Sequence, residues 1–248
     1  MAAPTINGTR KTGNSGTTNS CFHVVTLPDD IVAGERLVVM FGVDGGDYAF
    51  LDKWYSGNNW RLVTQRSDLS TYRGMVLTKI AEGGGADALR IISEAVEQSS
   101  WVSFRVSADA ACIQAATASG NSTNSNPPSL ALSVGSPTPE VLWIAARVGD
   151  STVVPSAAPT DFANLTTETA PGTSSVSTSI ADRALAAATL DPDAFTVATE
   201  QWGAFTIGLY DDSSNAPSAR VTALGLVVLT SDDDNPPFVP GGQLVIAT

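Results

Sequence analysis

One histidine, His23, serves a chain of 248 residues, so any Ser-His-Asp or Cys-His nucleophile would have to be built on it. It stands between Phe22 and Val24 in an alternating stretch, and the sequence has no Gly-x-Ser-x-Gly elbow. Such a lone strand histidine is expected to be structural or solvent-facing. Gly83-Gly84-Gly85 lacks the Lys-Ser/Thr and helix that make a glycine-rich loop cradle phosphate, and reads as a turn. No His and Cys set has zinc spacing. Carboxylates gather at Asp44 with Asp47, Asp211 with Asp212, and Asp232–Asp234. Paired carboxylates could hydrolyse glycosides, and several oxygens could hold Ca²⁺. All three groups fall at strand ends or turns, where Asp is favoured for local hydrogen bonds, and none has EF-hand or nonapeptide spacing. The residues assign no catalytic, cofactor or metal position, and a non-enzymatic protein is expected.

The densest set of contact-forming side chains is YAFLDKWYSGNNW, residues 48–60. It holds Tyr48, Phe50, Trp54, Tyr55 and Trp60 among a total of 5 Trp, 4 Tyr and 8 Phe. Trp and Tyr present large area with few rotors, to protein partners and sugar faces alike. Tyr48, Trp54 and Tyr55 are candidate partner or glycan contacts, with Asn58 and Asn59 adding directional hydrogen bonds. The competing expectation is a loop that covers the open end of its own domain. Exposure separates the two: an exposed Trp/Tyr pair supports contact, and burial ends it.

The elements that would position these residues are strands. Strand signals mark Cys21–Leu27, which alternates moderately, Arg36–Val43, an apolar run rich in valine, Trp60–Gln65, Gly74–Ala81, Leu89–Ser93, Trp101–Val106, which alternates with period two, and Cys112–Ala118. After SGNSTNSNPP, residues 119–128, come Ser129–Val134, Val141–Val148, Ser174–Ala181, Ala194–Ala198 and Trp202–Tyr210. Short strands at close spacing, with no long amphipathic helix, predict an all-β antiparallel β-sandwich. Residues 1–20 read as a flexible or partner-stabilised arm. Residues 211–248 read as an extension with one or two added strands, whose Phe238, Leu244 and Ile246 are candidate assembly contacts suited to a neighbour's sheet edge.

The chain also says the same thing twice. ERLVVMFGVDGGD at 35–47 matches EVLWIAARVGDS at 140–151, and SSWVSFRV matches EQWGAFTIGL. The offsets are 142−37=105, 162−60=102, 180−80=100 and 202−101=101. A period near 100 that occurs twice predicts two pseudo-repeated halves, about 21–118 and 129–210, packed in a jelly-roll-like way. The aromatic segment 48–60 has no match in the second half.

Bulk properties narrow the partners. A formal charge of −12 argues against nucleic acid and against anionic membrane surfaces. No apolar run is long enough for a transmembrane helix, and no Sec-type signal is expected, so synthesis in the cytoplasm is expected. Charged residues are 15% of the chain, a low share that suits proteins living in assemblies. Two cysteines, Cys21 and Cys112, make no framework, and buried thiols are expected.

Pro28–Val43 (PDDIVAGERLVVMFGV) resembles the Pro-x-x-(Ile/Val)-x-Ala-Gly-Asp-Leu-Leu opening of a β-sandwich domain frequent in tailed-phage virion proteins. Trp60-Arg61-Leu62-Val63 is similar to its Gly-Trp-Thr-Leu strand. MVLTKIAEG, residues 75–83, and Trp202–Leu209 are similar to two further strands of it. Glu35 stands where that pattern has Asp. The resemblance spans roughly residues 22–210 and implies a tail, fibre or head-decoration protein located in the virion. Its implied partners are other virion proteins and copies of itself, a trimer among the options, and it carries no catalytic residues. A carbohydrate-binding module is the alternative from another class.

Overall fold

Arg36–Val43 and Val141–Gly149 are buried at every position, so each strand must be covered on both faces. The computed structural model describes residues 2–45, 48–57, 59–68, 71–83, 85 and 87–211. Phe238, Leu244, Ile246, Asn58, Asp47, Asp212 and Asp232–Asp234 lie outside the described residues.

In chain order the elements are β1 (Ile6–Asn14), β2 (Ser20–Val24), β3 (Arg36–Asp44), β4 (Ala49–Leu51), the one-turn helix α1 (Lys53–Ser56), β5 (Arg61–Asp68), β6 (Tyr72–Ile80), β7 (Arg90–Glu97) and β8 (Ser99–Val106). They continue with β9 (Cys112–Ser122), β10 (Leu130–Ala131), β11 (Val141–Gly149), β12 (Ala163–Ala170), β13 (Val176–Leu185), β14 (Thr189–Leu190) and β15 (Glu200–Tyr210). One five-stranded antiparallel sheet runs β1-β8-β3-β6-β5, and the other, read from its far edge, β9-β15-β11-β13-β12. The two sheets therefore use their strands in the same chain order. Two smaller sheets, β2-β7-β4 and β10-β14, occupy matching points of the order, and only β4 and α1 lack a counterpart among the described residues.

The five-stranded sheets face each other across one core. Val38 and Met40 of β3, Phe104 of β8, Ile144 and Val148 of β11, and Phe205 and Ile207 of β15 meet there. Tyr72 crosses it, and its hydroxyl donates to Trp202 O at 2.7 Å. The alternate residues Leu37, Val39 and Phe41 of β3 point the other way, into a second cluster with Trp60, Ile91 and Trp101. On the far side Val141 and Trp143 of β11 join Leu130 and Leu132. A β-sandwich with an extra layer on each outer face is the result.

Several expectations are corrected. The chain passes between the large sheets once, from β8 to β9, whereas winding as a jelly roll would alternate between them. The offset of 101 keeps equivalent faces: Trp101 pairs with Gly13 and Trp202 with Gly120, and Phe104 and Phe205 share the inner core. The offset of 105 does not. Leu37 faces outward and Leu142 inward. Phe41 stands opposite Trp101 and Gly149 opposite Trp202, so the strands correspond at 149−41=108, and an error of three residues flips a strand residue to the other face.

The expected arm at residues 1–20 contains β1, an edge strand of the first sheet. Its polar sequence hid it, since Ile6 packs on the core but other side chains of the strand bond polar groups. Arg10 reaches Asp182, the Asn164 carbonyl and Thr166 Oγ1, the last at 2.8 Å, and Asn14 Nδ2 donates to Glu168 Oε1 at 2.7 Å. Burial brings the Arg10 pKa down to about 10. The expected loop 119–128 begins as strand, because β9 runs to Ser122. Cys21 and Cys112 lie in different sheets as half-buried thiols without a disulfide.

The Trp–Gly pairs test the shared architecture. A β-carbon on Gly120 would lie 2.5 Å from Trp202 Cζ2, and one on Gly13 would lie 2.5 Å from Trp101 Cζ2. Gly120→Val should lower the unfolding free energy by about 1–3 kcal/mol, the usual cost of overpacking. Denaturant titration followed by tryptophan fluorescence measures it.

Candidate functional site

The β2-β7-β4 sheet covers the outward side of the first large sheet, and strand alternation gives it two faces of different character. Its inward face carries His23, Ala49 and Ile91, all buried. The His23 ring lies 5.6 Å from the Phe41 ring, and its two nitrogens bond Ser93 Oγ at 2.9 Å and Ser99 Oγ at 2.8 Å. Burial lowers its pKa to about 4, so it is neutral at neutral pH. The single histidine is a satisfied core residue that ties the cover sheet to β8.

The outward face is apolar. Register places Phe22 of β2 and Phe50 of β4 opposite the same residue of β7, Ile92, with Val24 opposite Arg90. Phe22 is 53% exposed and Phe50 is 52% exposed. Beside them α1 is held by Asp52, whose Oδ1 accepts from Trp54 N at 3.1 Å and Tyr55 N at 3.2 Å. An N-cap of this kind satisfies donors that a short helix otherwise leaves open. Gly57, at φ +72°, then ends the turn in a backbone region that side chains disfavour. Arg90 Nε donates to Asp52 Oδ2 at 2.7 Å. That bond, the two N–H groups and the arginine charge hold the Asp52 carboxyl below the ordinary carboxylate range.

Arg90 joins helix to sheet. Its guanidinium carbon lies 4.3 Å from the Tyr55 ring centre and 5.0 Å from that of Phe22, a cation between two aromatic rings. Arg73 stands 5.8 Å over the Tyr48 ring. Cys21, Tyr48, Phe50, Ile92, Ser93 and Glu94 line a shallow groove of about 650 Å³ along the sheet.

The candidate contacts therefore fall together at one place. Trp54 is 97% exposed, Tyr48 65% and Tyr55 44%, while Trp60 is buried and donates its indole N–H to Ala88 O at 2.6 Å. Asn59 is committed elsewhere, to Glu82 Oε1 at 2.6 Å. Sequence reasoning missed Phe22 and Val24, which belong to the same face. The available signal was the alternation in Cys21–Val24, where the polar His23 takes the buried positions and the apolar residues the exposed ones.

A second cluster sits at one end of the sandwich. Asp44 ends β3 and Asp150 follows β11, both on the inward parity of their strands, and the carboxyls hydrogen-bond to each other. Ser174 bonds Asp44, and a β-carbon on Gly45 would lie 2.9 Å from Glu97 Oε1. Desolvation first, then the Asp150 carboxyl, pushes the Asp44 pKa up to about 7; burial and the Glu200 and Asp68 charges raise Asp150 as well. The notable partner of Asp44 is thus a residue from the other half of the chain. Among the described residues no group of three or more His, Cys, Asp or Glu side chains is arranged to hold a metal ion.

No protein-family model, no curated protein and no solved structure matches this chain.

The carboxyl pair makes stability depend on pH. A carboxyl whose folded pKa is raised binds its proton more tightly in the folded state. Its stabilisation is complete below the unfolded value near 4 and is lost as pH rises through about 7. Asp150→Asn, which keeps a hydrogen-bonding group without the charge, should unfold at higher urea than the wild type at about pH 8. The gap should close toward about pH 5. Urea midpoints across that range measure it.

Proposed function

We propose that this chain is a non-enzymatic structural subunit of a tailed-phage virion, a tail-tip or fibre component that works by burying surface against its neighbours. The observation that carries the reading is the outward face of the β2-β7-β4 sheet. Its aromatic residues stand in water on a rigid, hydrogen-bonded scaffold, where a free-standing protein would place polar ones. Support comes also from the resemblance of residues 22–210 to the phage β-sandwich pattern, from the all-β architecture, and from the low share of charged residues.

The chemistry of the buried polar groups fits the same reading. His23 is bonded at both nitrogens inside the core, and Arg147 is fully buried in an ion pair with Glu200. These groups hold layers together and face no cleft. The face without counterpart in the second half, with β4 and α1 as its frame, is where the chain departs from its own scaffold.

Locating the chain in particles tests the reading. Cryo-electron microscopy and mass spectrometry of purified virions from cells that encode it should place it in the tail, in a few copies. Hundreds of copies on the head would move the assignment to decoration, and absence from particles would end it.

A further inference from the structure

The exposed aromatic face is continuous and large. Phe22, Ile92 and Phe50 form one cross-strand row, Tyr48 shares the groove with Phe50, and Arg90 bridges Phe22 to Tyr55 next to Trp54. A fully buried aromatic side chain removes roughly 150–250 Å² from water. At the exposures of these five rings, on the order of 600 Å² of aromatic surface stands bare, and Val24, two residues on from Phe22, extends it. That approaches the roughly 800 Å² that each partner contributes to a standard protein interface.

Resting on the assembly reading above, we propose that this face is the contact between two copies of the chain, related by a twofold axis. A twofold contact uses one patch on both subunits, whereas a ring of three needs two different complementary patches. Among the described residues the other exposed large apolar side chains, Val32, Leu62, Ile80 and Val154, stand singly on separate elements. Among the described residues only the β2-β7-β4 face is broad enough to serve, and a flat sheet face packs on its own copy as sheets do in a sandwich.

Charge points the same way. Two chains of net charge −12 repel over most of their surface. At this face Arg73 stands over Tyr48, Arg90 lies over Tyr55 and pairs with Asp52, and Glu94 lines the groove, so cations and carboxylates are mixed and the excess negative charge is not concentrated here. A sugar is the poorer fit, because its hydroxyls need hydrogen-bonding groups. Ser93 Oγ is engaged by His23 and the Ala95 carbonyl and Asn59 by Glu82, so the face offers area more than polar partners.

Trp54 makes the contact visible. Of the five tryptophans, Trp60, Trp101, Trp143 and Trp202 are buried, so acrylamide quenching reads Trp54. Light scattering of the full chain from about 1 to about 100 μM, a span that brackets micromolar affinity, should show the mass rising from 25.6 kDa toward twice that value. Quenching should fall in parallel. Phe50→Glu and Trp54→Ser, each at an exposed position, should keep the wild-type circular dichroism spectrum and stay at the mass of one chain.

A single-chain mass at every concentration overturns the proposal, as does a three-chain mass or a dimer that Phe50→Glu leaves intact. Protection of Trp54 in a monomer by hexasaccharides of glucose or N-acetylglucosamine would reassign the face to glycan. A monomer that is nonetheless found in particles sinks the dimer and spares the virion reading. A dimer absent from particles does the reverse.

Discussion

Eight residues in a row, Arg36 to Val43, are buried in β3, and β11 repeats the condition over Val141–Gly149. A strand with both faces out of water needs a layer on each side. The inner layer is the opposite five-stranded sheet, and the outer layer must be built from the loops between strands. On the first sheet that cover is β2-β7-β4, seated through Ile91, Ala49 and His23 on Leu37, Val39 and Phe41. A cover made of strands has a second face of its own. What that second face presents is therefore free to differ from one protein to another, and here it presents Phe22, Phe50 and Ile92.

The two halves solve the same problem with different thickness. Around β11 the cover is the short β10-β14 pair with Leu130, Leu132 and Phe195, and the surface it leaves carries no aromatic row. Around β3 the inserted β4 and α1 widen the cover by one strand and one turn. Asp52 and Arg90 are the fasteners: Asp52 caps α1 and holds Arg90, which in turn sits between the Tyr55 and Phe22 rings. The insertion thus converts a lid over the core into a surface with its own contacts. At the sandwich end Asp44 and Asp150 bring one carboxyl from each half together, and burial with the neighbouring carboxyl pushes the Asp44 pKa up to about 7.

Much of this was legible from residue pattern. The apolar runs in Arg36–Val43 and Val141–Ala146 marked strands, and the density of Tyr48, Trp54 and Tyr55 marked a candidate contact surface. Three things were not. β1 reads as polar coil because its stabilisation comes from Arg10 and Asn14 reaching the opposite sheet, a pairing that only the folded distance between residues 10 and 182 reveals. The 105-residue offset looked sound because apolar residues occupy both faces of β3 and β11, so composition could not fix parity. The exposure of Phe22 and Val24 was hidden because apolar alternation says which residues share a face, and not which face is covered.

Amide hydrogen exchange of the full chain, compared between dilute and concentrated solution, tests the central claim most directly. If the cover sheet's outward face is a copy-to-copy contact, added protection at high concentration will be confined to residues 20–24, 49–56 and 90–97. Protection that spreads over β9 or β12 instead, or exchange that is the same at both concentrations, contradicts it.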